Sequence, residues 1–212
     1  MTTQEKNGIT EGVIWKQLLI FFFPILVGSF FQQLYNTVDS VIVGQFVGKE
    51  ALSSVGGSAG QIISLVVGFF TGVSTGATVI ISQYFGAGKK EEIEESLHTA
   101  YAFALVGGLV LGIAGIVFAP QMLRWMNTPE ELIAESVLYV RVYFSGLIFI
   151  FIYNMGAAIL RAVGDSKRPL YYLIVCSVVN IILDLLLILV IPLGVLGAAI
   201  ATLIAQAVSA VL

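Results

Sequence analysis

Apolar residues run through the chain in six long stretches, near 15–46, 53–82, 97–119, 133–160, 170–191 and 195–212, separated by charged or Pro/Gly-rich segments. A helix needs about 20 residues to cross ~30 Å of hydrocarbon. The pattern therefore predicts an all-α membrane protein with six transmembrane helices, preceded by a polar tail over residues 1–14. The first stretch is too long for a removable signal peptide and has no small-residue cleavage site after it. Pro24 lies inside it and predicts a kink. The sixth stops at Leu212 without a polar flank or basic anchor, which predicts a fragment of something longer.

Composition supports this pattern. The 212 residues are 58% hydrophobic and 11% charged, with a mean hydropathy of +0.99. A soluble domain carries about 25% charged residues, so a disordered chain, a nucleic-acid binder and almost any cytosolic enzyme are excluded. A net charge of −3 offers no basic surface to phosphate backbones. The single cysteine, Cys176, excludes an internal disulfide and a cysteine-based metal cluster, and reads as a small apolar core residue.

Basic residues set the orientation. Lys6, Lys16, Lys89, Lys90, Arg161, Lys167 and Arg168 fall on the side of the N-terminus and the even-numbered loops; Lys49, Arg124 and, a little way into span four, Arg141 fall on the other. That asymmetry predicts a cytoplasmic N-terminus in a multi-pass cell-membrane protein. The turns at 86–90 and 164–169 read as tight basic turns that fix topology.

Eleven of the thirteen acidic residues sit in loops, in the tail or near span ends, but Asp39 and Asp184 do not. A carboxylate at bilayer depth costs about 2.5–3.5 kcal/mol on insertion scales, so it faces protein or a wet cavity. Each lies seven residues, ~10 Å, from the outer end of its span, and Thr202 lies at the same depth in span six. Asn180 sits one turn from Asp184 on the same face. Two carboxylates, an amide and a hydroxyl at one level are hard oxygen ligands for a small cation or a shared proton.

Polar residues also form stripes. Ser29, Gln32, Asn36 and Asp39 recur at spacings of three and four in span one. Gln and Asn beside an Asp exceed what packing needs, so that face is read as lining a wet cavity. Span two carries serines and threonines from Ser54 to Ser82, which packing explains as well as a pore does; span three carries Gly108, Gly112 and Gly115 instead. In span four Tyr139, Tyr143, Tyr153 and Asn154 are candidate substrate contacts, with Tyr139 equally placed as an interfacial anchor. His98 begins span three and is a poor candidate for a proton relay there.

Several segments carry a family resemblance. Gln32-Gln-Leu-Tyr-Asn-Thr-Val-Asp39, Gly76-Ala-Thr-Val-Ile-Ile-Ser-Gln83, Arg161-Ala-Val-Gly-Asp-Ser-Lys-Arg-Pro169, Asn180-Ile-Ile-Leu-Asp184 and Gly197-Ala-Ala-Ile-Ala-Thr202 together resemble the multidrug and toxic compound extrusion (MATE) transporters. The resemblance implies one bundle, the N-lobe, of a twelve-helix transporter, with the second bundle absent from this chain. It implies a secondary active antiporter, not an enzyme, that exports small amphipathic and often cationic organic compounds across the bilayer in exchange for H⁺ or Na⁺, with no cofactor. The cation or proton site it implies is Asp39, Asn180, Asp184 and Thr202, the same residues that could hold Na⁺ as a metal. More loosely, it implies a substrate cavity at Gln32, Tyr35, Asn36 and Asn154. Without the second bundle, this chain alone is not expected to transport.

Three other readings compete. A lipid-linked oligosaccharide flippase of the same superfold calls for basic residues in the cavity-facing stripes, and spans one, two, five and six have none. An intramembrane aspartyl protease calls for a Gly-x-Gly-Asp signature, whereas Asp184 follows Ile-Ile-Leu. A non-transporting membrane partner requires a natural end near Leu212.

Overall fold

A computed structural model describes residues 13–212; Lys6 and the rest of the tail to residue 12 lie outside the described residues. The described chain is all-α. Helix α1 (Ile14–Ile42) is followed by a π-helical turn, Val43–Val47, then α2 (Lys49–Gly56), α3 (Ser58–Gly86), α4 (Lys90–Trp125), α5 (Glu130–Ser145), α6 (Leu147–Ala162) and α7 (Lys167–Asp184). A second π-helical turn, Leu185–Val190, leads into α8 (Val195–Val211). Among the described residues, four helical segments are long and apolar enough to cross a membrane, and a fifth if α5 and α6, bent by 49° at Gly146, count as one; α8 is a shorter apolar helix.

Helix α1 continues through Pro24, whose ring is buried. The helical hydrogen-bond pattern changes at the π-turn that follows Ile42. The second apolar stretch is divided at Gly57 into α2 and α3. The π-turns of α1 and α7 touch each other, and each leads to a glycine with positive φ, Gly48 (124°) or Gly194 (57°), where a side chain would be strained.

The core is built on close approach. A Cβ on Gly108 would lie 2.8 Å from Ile148 Cα, and one on Gly112 would lie 3.0 Å from the Phe144 carbonyl oxygen. A Cβ on Gly115 would overlap the Phe144 ring. The glycines of α4 thus form the seam on which the bent α5–α6 pair is seated. Lipid tails are as apolar as leucine, so contact distance rather than water exclusion holds such helices together. Behind the seam Phe70 stacks on Phe151, centroids 3.5 Å apart. Outward-facing side chains such as Leu65 (72% exposed) and Val106 (62%) are apolar, as a lipid-facing surface requires.

Most hydroxyls of the serine–threonine stripe bond to their own helix: Thr71 donates to the Val67 carbonyl (2.8 Å), Ser74 to Phe70 (3.0 Å) and Thr75 to Thr71 (2.9 Å). Thr78 also reaches across to the Ala158 carbonyl at 3.3 Å. Ser64, Thr71, Thr75 and Ser82 are nevertheless exposed, and a Cβ on Gly68, Gly72 or Gly76 would meet open space, so most of this stripe is not a packing surface within the described bundle.

The seam gives a stability test. Gly108→Ala is expected to destabilise the bundle by about 1–3 kcal/mol through overpacking. Gly72→Ala, where a Cβ meets open space, is expected to be neutral or to gain up to about 1 kcal/mol of helix propensity. Thermal unfolding of the two variants in detergent checks this, and equal midpoints would contradict the seam.

Candidate ion and substrate site

Helix α7 packs between α1 and α8, and that arrangement gathers Asp39, Asn180, Asp184 and Thr202. Asn180 and Asp184 are fully buried, and Thr202 is 5% exposed. With its amide turned to suit both neighbours, Asn180 Nδ2 donates to Asp184 Oδ2 at 2.8 Å and its side-chain oxygen accepts from the Thr202 backbone N–H at 3.3 Å. The carboxyls of Asp39 and Asp184 meet side chain to side chain. Each still keeps one buried oxygen, Oδ1, without a hydrogen-bond partner. In a low-dielectric setting two adjacent carboxylates cannot both stay charged unless a cation or proton stands between them. The pair is followed on both helices by irregular backbone: Asp184 directly precedes one π-turn, and Asp39 lies one helical turn before the other. Such turns are frequent at functional sites.

Beside this cluster lies a cavity of about 340 Å³. Gln32, Tyr35 and Asn154 line it, as do Tyr143, Tyr153 and Gln206. Tyr35 joins the two sites, because it lines the cavity and its phenol lies beside Thr202. Tyr35, Tyr139 and Tyr143 all lie within the electrostatic reach of Asp39. Tyr153 donates to the Pro169 carbonyl at 3.3 Å, and Asn154 to that of Ile150 at 2.8 Å, which fixes both on the wall.

Two expected cavity residues sit elsewhere. Tyr139 is 6% exposed and packs behind Tyr143, centroids 6.2 Å apart, so it backs the carboxyl pair rather than lining the cavity. Asn36 lines a separate, shallower groove with Gln33, Thr37 and Ser40 on another face of α1. The physical reason is angular: Tyr35 and Asn36 are adjacent in a helix, about 100° apart. Arg161, read from the sequence as one of the residues fixing topology, lies on the cavity wall instead. Its position one turn beyond Ala157, another lining residue, is the signal that could have placed it there.

The MatE family model matches residues 24–186, most of the chain and nearly all of the helices that build this site. The chain belongs to the MatE family. It is 34% identical to the Probable multidrug resistance protein YoeA of Bacillus subtilis (strain 168), an alignment covering 96% of this chain and 44% of that protein. It is likewise 34% identical to the Probable multidrug resistance protein YpnP of the same strain, covering 94% and 45%. A solved structure described as the outward-facing conformation of a multidrug resistance MATE family transporter of the MOP superfamily superposes with a TM-score of 0.92 at 27% identity, covering 100% of this chain and 46% of that one. The chain thus has the all-helical MATE fold over about half of such a protein and spans about half the length of the curated relatives it matches.

Asn180→Leu removes the 2.8 Å donor from a buried carboxylate. The expected loss is roughly 1–3 kcal/mol. Ser29→Ala, which removes only a bond to the Ile25 carbonyl of its own helix, should leave stability within about 0.5 kcal/mol. A comparison of their unfolding temperatures in detergent tests this; an unchanged midpoint for Asn180→Leu would contradict the network.

Proposed function

We propose that this chain is the N-terminal bundle of a secondary active multidrug exporter that moves amphipathic organic compounds, cationic ones among them, out of the cell in exchange for H⁺ or Na⁺. One observation carries the reading: the carboxyls of buried Asp184 and half-buried Asp39 meet, each keeps one buried oxygen without a partner, and Tyr35 lies between them and a polar and aromatic cavity. The names of the relatives, which are multidrug resistance proteins, support it. They favour a transporter over an intramembrane protease.

Four residues would hold the coupling ion. Asp39 and Asp184 supply carboxylate oxygens, and Thr202 a hydroxyl. Asn180 holds the Asp184 carboxylate in place. An ion arriving here cancels the repulsion between the carboxylates, so α1 and α7 can pack more closely. Tyr35 and Thr202 carry that change to the cavity wall, and the bound compound loses its fit. With the N-terminus cytoplasmic, as the Lys and Arg asymmetry favours, the site lies toward the outer side. The membrane potential then contributes ~2.3 kcal/mol per charge per 100 mV to inward ion movement. The second bundle of the transporter would close the central cavity, and the two would rock about the midplane.

Efflux of ethidium from cells expressing the complete reading frame tests this. Asp184→Asn, at equal expression, is expected to slow efflux by about tenfold or more, because an interaction to a charged group is worth roughly 1.5–3 kcal/mol. Undiminished efflux in the variant would refute the ion site, and no efflux from the wild type would refute the dye class.

A further inference from the structure

Arg161 is the single charged residue among those lining the 340 Å³ cavity. It sits in the last turn of α6, where its charge complements the helix dipole, but that leaves its N–H donors unused. The acid nearest to it in sequence is Asp165, beyond the turn that ends α6. Asp165 is committed elsewhere: its Oδ1 accepts from the backbone N–H groups of Lys167 and Arg168 at 3.1 Å each, and its Oδ2 pairs with Arg168 Nε at 3.1 Å. Among the described residues no ion pair or hydrogen bond to the Arg161 guanidinium is present. Tyr153 stands beside it, and Ser166, 5% exposed, is on the same wall.

The cavity is therefore electrically lopsided. One end, at Tyr35 and Tyr143, lies under the influence of Asp39. The other carries a partly buried guanidinium without a counter-charge. The lining of α1, from Pro24 to Tyr35, spans about 16 Å between these ends, the length of a two- or three-ring compound. A planar guanidinium with several N–H donors matches a carboxylate or phosphate in bidentate fashion. A cationic group is drawn instead to the Asp39 end, which leaves the guanidinium free for an anionic one.

Resting on the cavity assignment above, we propose that Arg161 is a specificity-determining residue that recognises an anionic group, so that this cavity selects aromatic compounds bearing a carboxylate or phosphate over those without one. Dansylglycine and its amide share one fluorescent body and differ in the carboxylate. Titrating both into the purified full-length protein, with dansyl fluorescence as the readout, tests the selection. The wild type is expected to prefer dansylglycine on the order of tenfold. Arg161→Gln should abolish the preference, and Arg161→Lys should keep part of it.

The wild-type preference is read without any variant, so a misfolded Arg161→Gln does not mask the answer. Equal binding of both probes by the wild type overturns the inference and leaves the cavity assignment standing, whereas binding of neither overturns both. A preference that survives in Arg161→Gln, or a lysine variant indistinguishable from glutamine, also overturns it. Displacement of dansylglycine by phosphatidylglycerol, in an Arg161-dependent way, would assign the guanidinium to a lipid headgroup instead.

Discussion

Two carboxylates placed at bilayer depth need polar company, and the arrangement of α1, α7 and α8 supplies it. Asp184 has Asn180 one turn below it, and Asn180 has the Thr202 backbone across from it. Asp39 completes the group from α1, close enough for the carboxyls to interact directly. Neither helix could carry its aspartate alone without a cost of several kilocalories per mole. On the proposed reading, the attraction of both for one small positive charge would set how closely α1 and α7 approach. A bundle whose packing depends on the occupancy of one site is a natural coupling device.

The remainder of the lobe differs from that part in how it is packed. The glycine seam of α4 fixes the bent α5–α6 pair by direct contact with Ile148 and Phe144, and the Phe70–Phe151 stack reinforces it. The regular backbone of α1 and α7 instead gives way to π-turns that touch each other just beyond the carboxyl pair. One part of the lobe is tightly interlocked and the other has irregular backbone next to the carboxyl pair. The cavity lies between them, walled by α1 and α7 on one side and by α6, including Asn154 and Arg161, on the other.

Much of this was legible in the sequence because membranes impose length and polarity rules. Apolar run lengths separated the helices, and depth from the span ends placed Asp39, Asp184 and Thr202 at one level, with Asn180 added by helical spacing. What lay beyond reach depended on angles and local backbone. The break at Gly57 and the bend at Gly146 fall inside apolar runs without a proline or a charge to mark them. The π-turns add one residue per turn without any compositional sign. Tyr139 and Tyr143 share a face of one helix, and only packing shows that Tyr143 reaches the cavity while Tyr139 backs the carboxyls. Arg161 reads as a topology anchor because a basic residue at a span end usually is one. Only the commitment of Asp165 to Arg168 and the start of α7 reveals that its guanidinium is unmatched.

The central claim is that the Asp39–Asp184 pair exchanges one small cation for one bound compound. The most direct measurement uses the full-length protein in proteoliposomes, with H⁺ and Na⁺ movement recorded in separate runs as an organic substrate is added. The account predicts substrate-driven counterflow of one of the two ions, abolished in both Asp39→Asn and Asp184→Asn. Substrate movement with no counterflow, or counterflow that survives both substitutions, would contradict it.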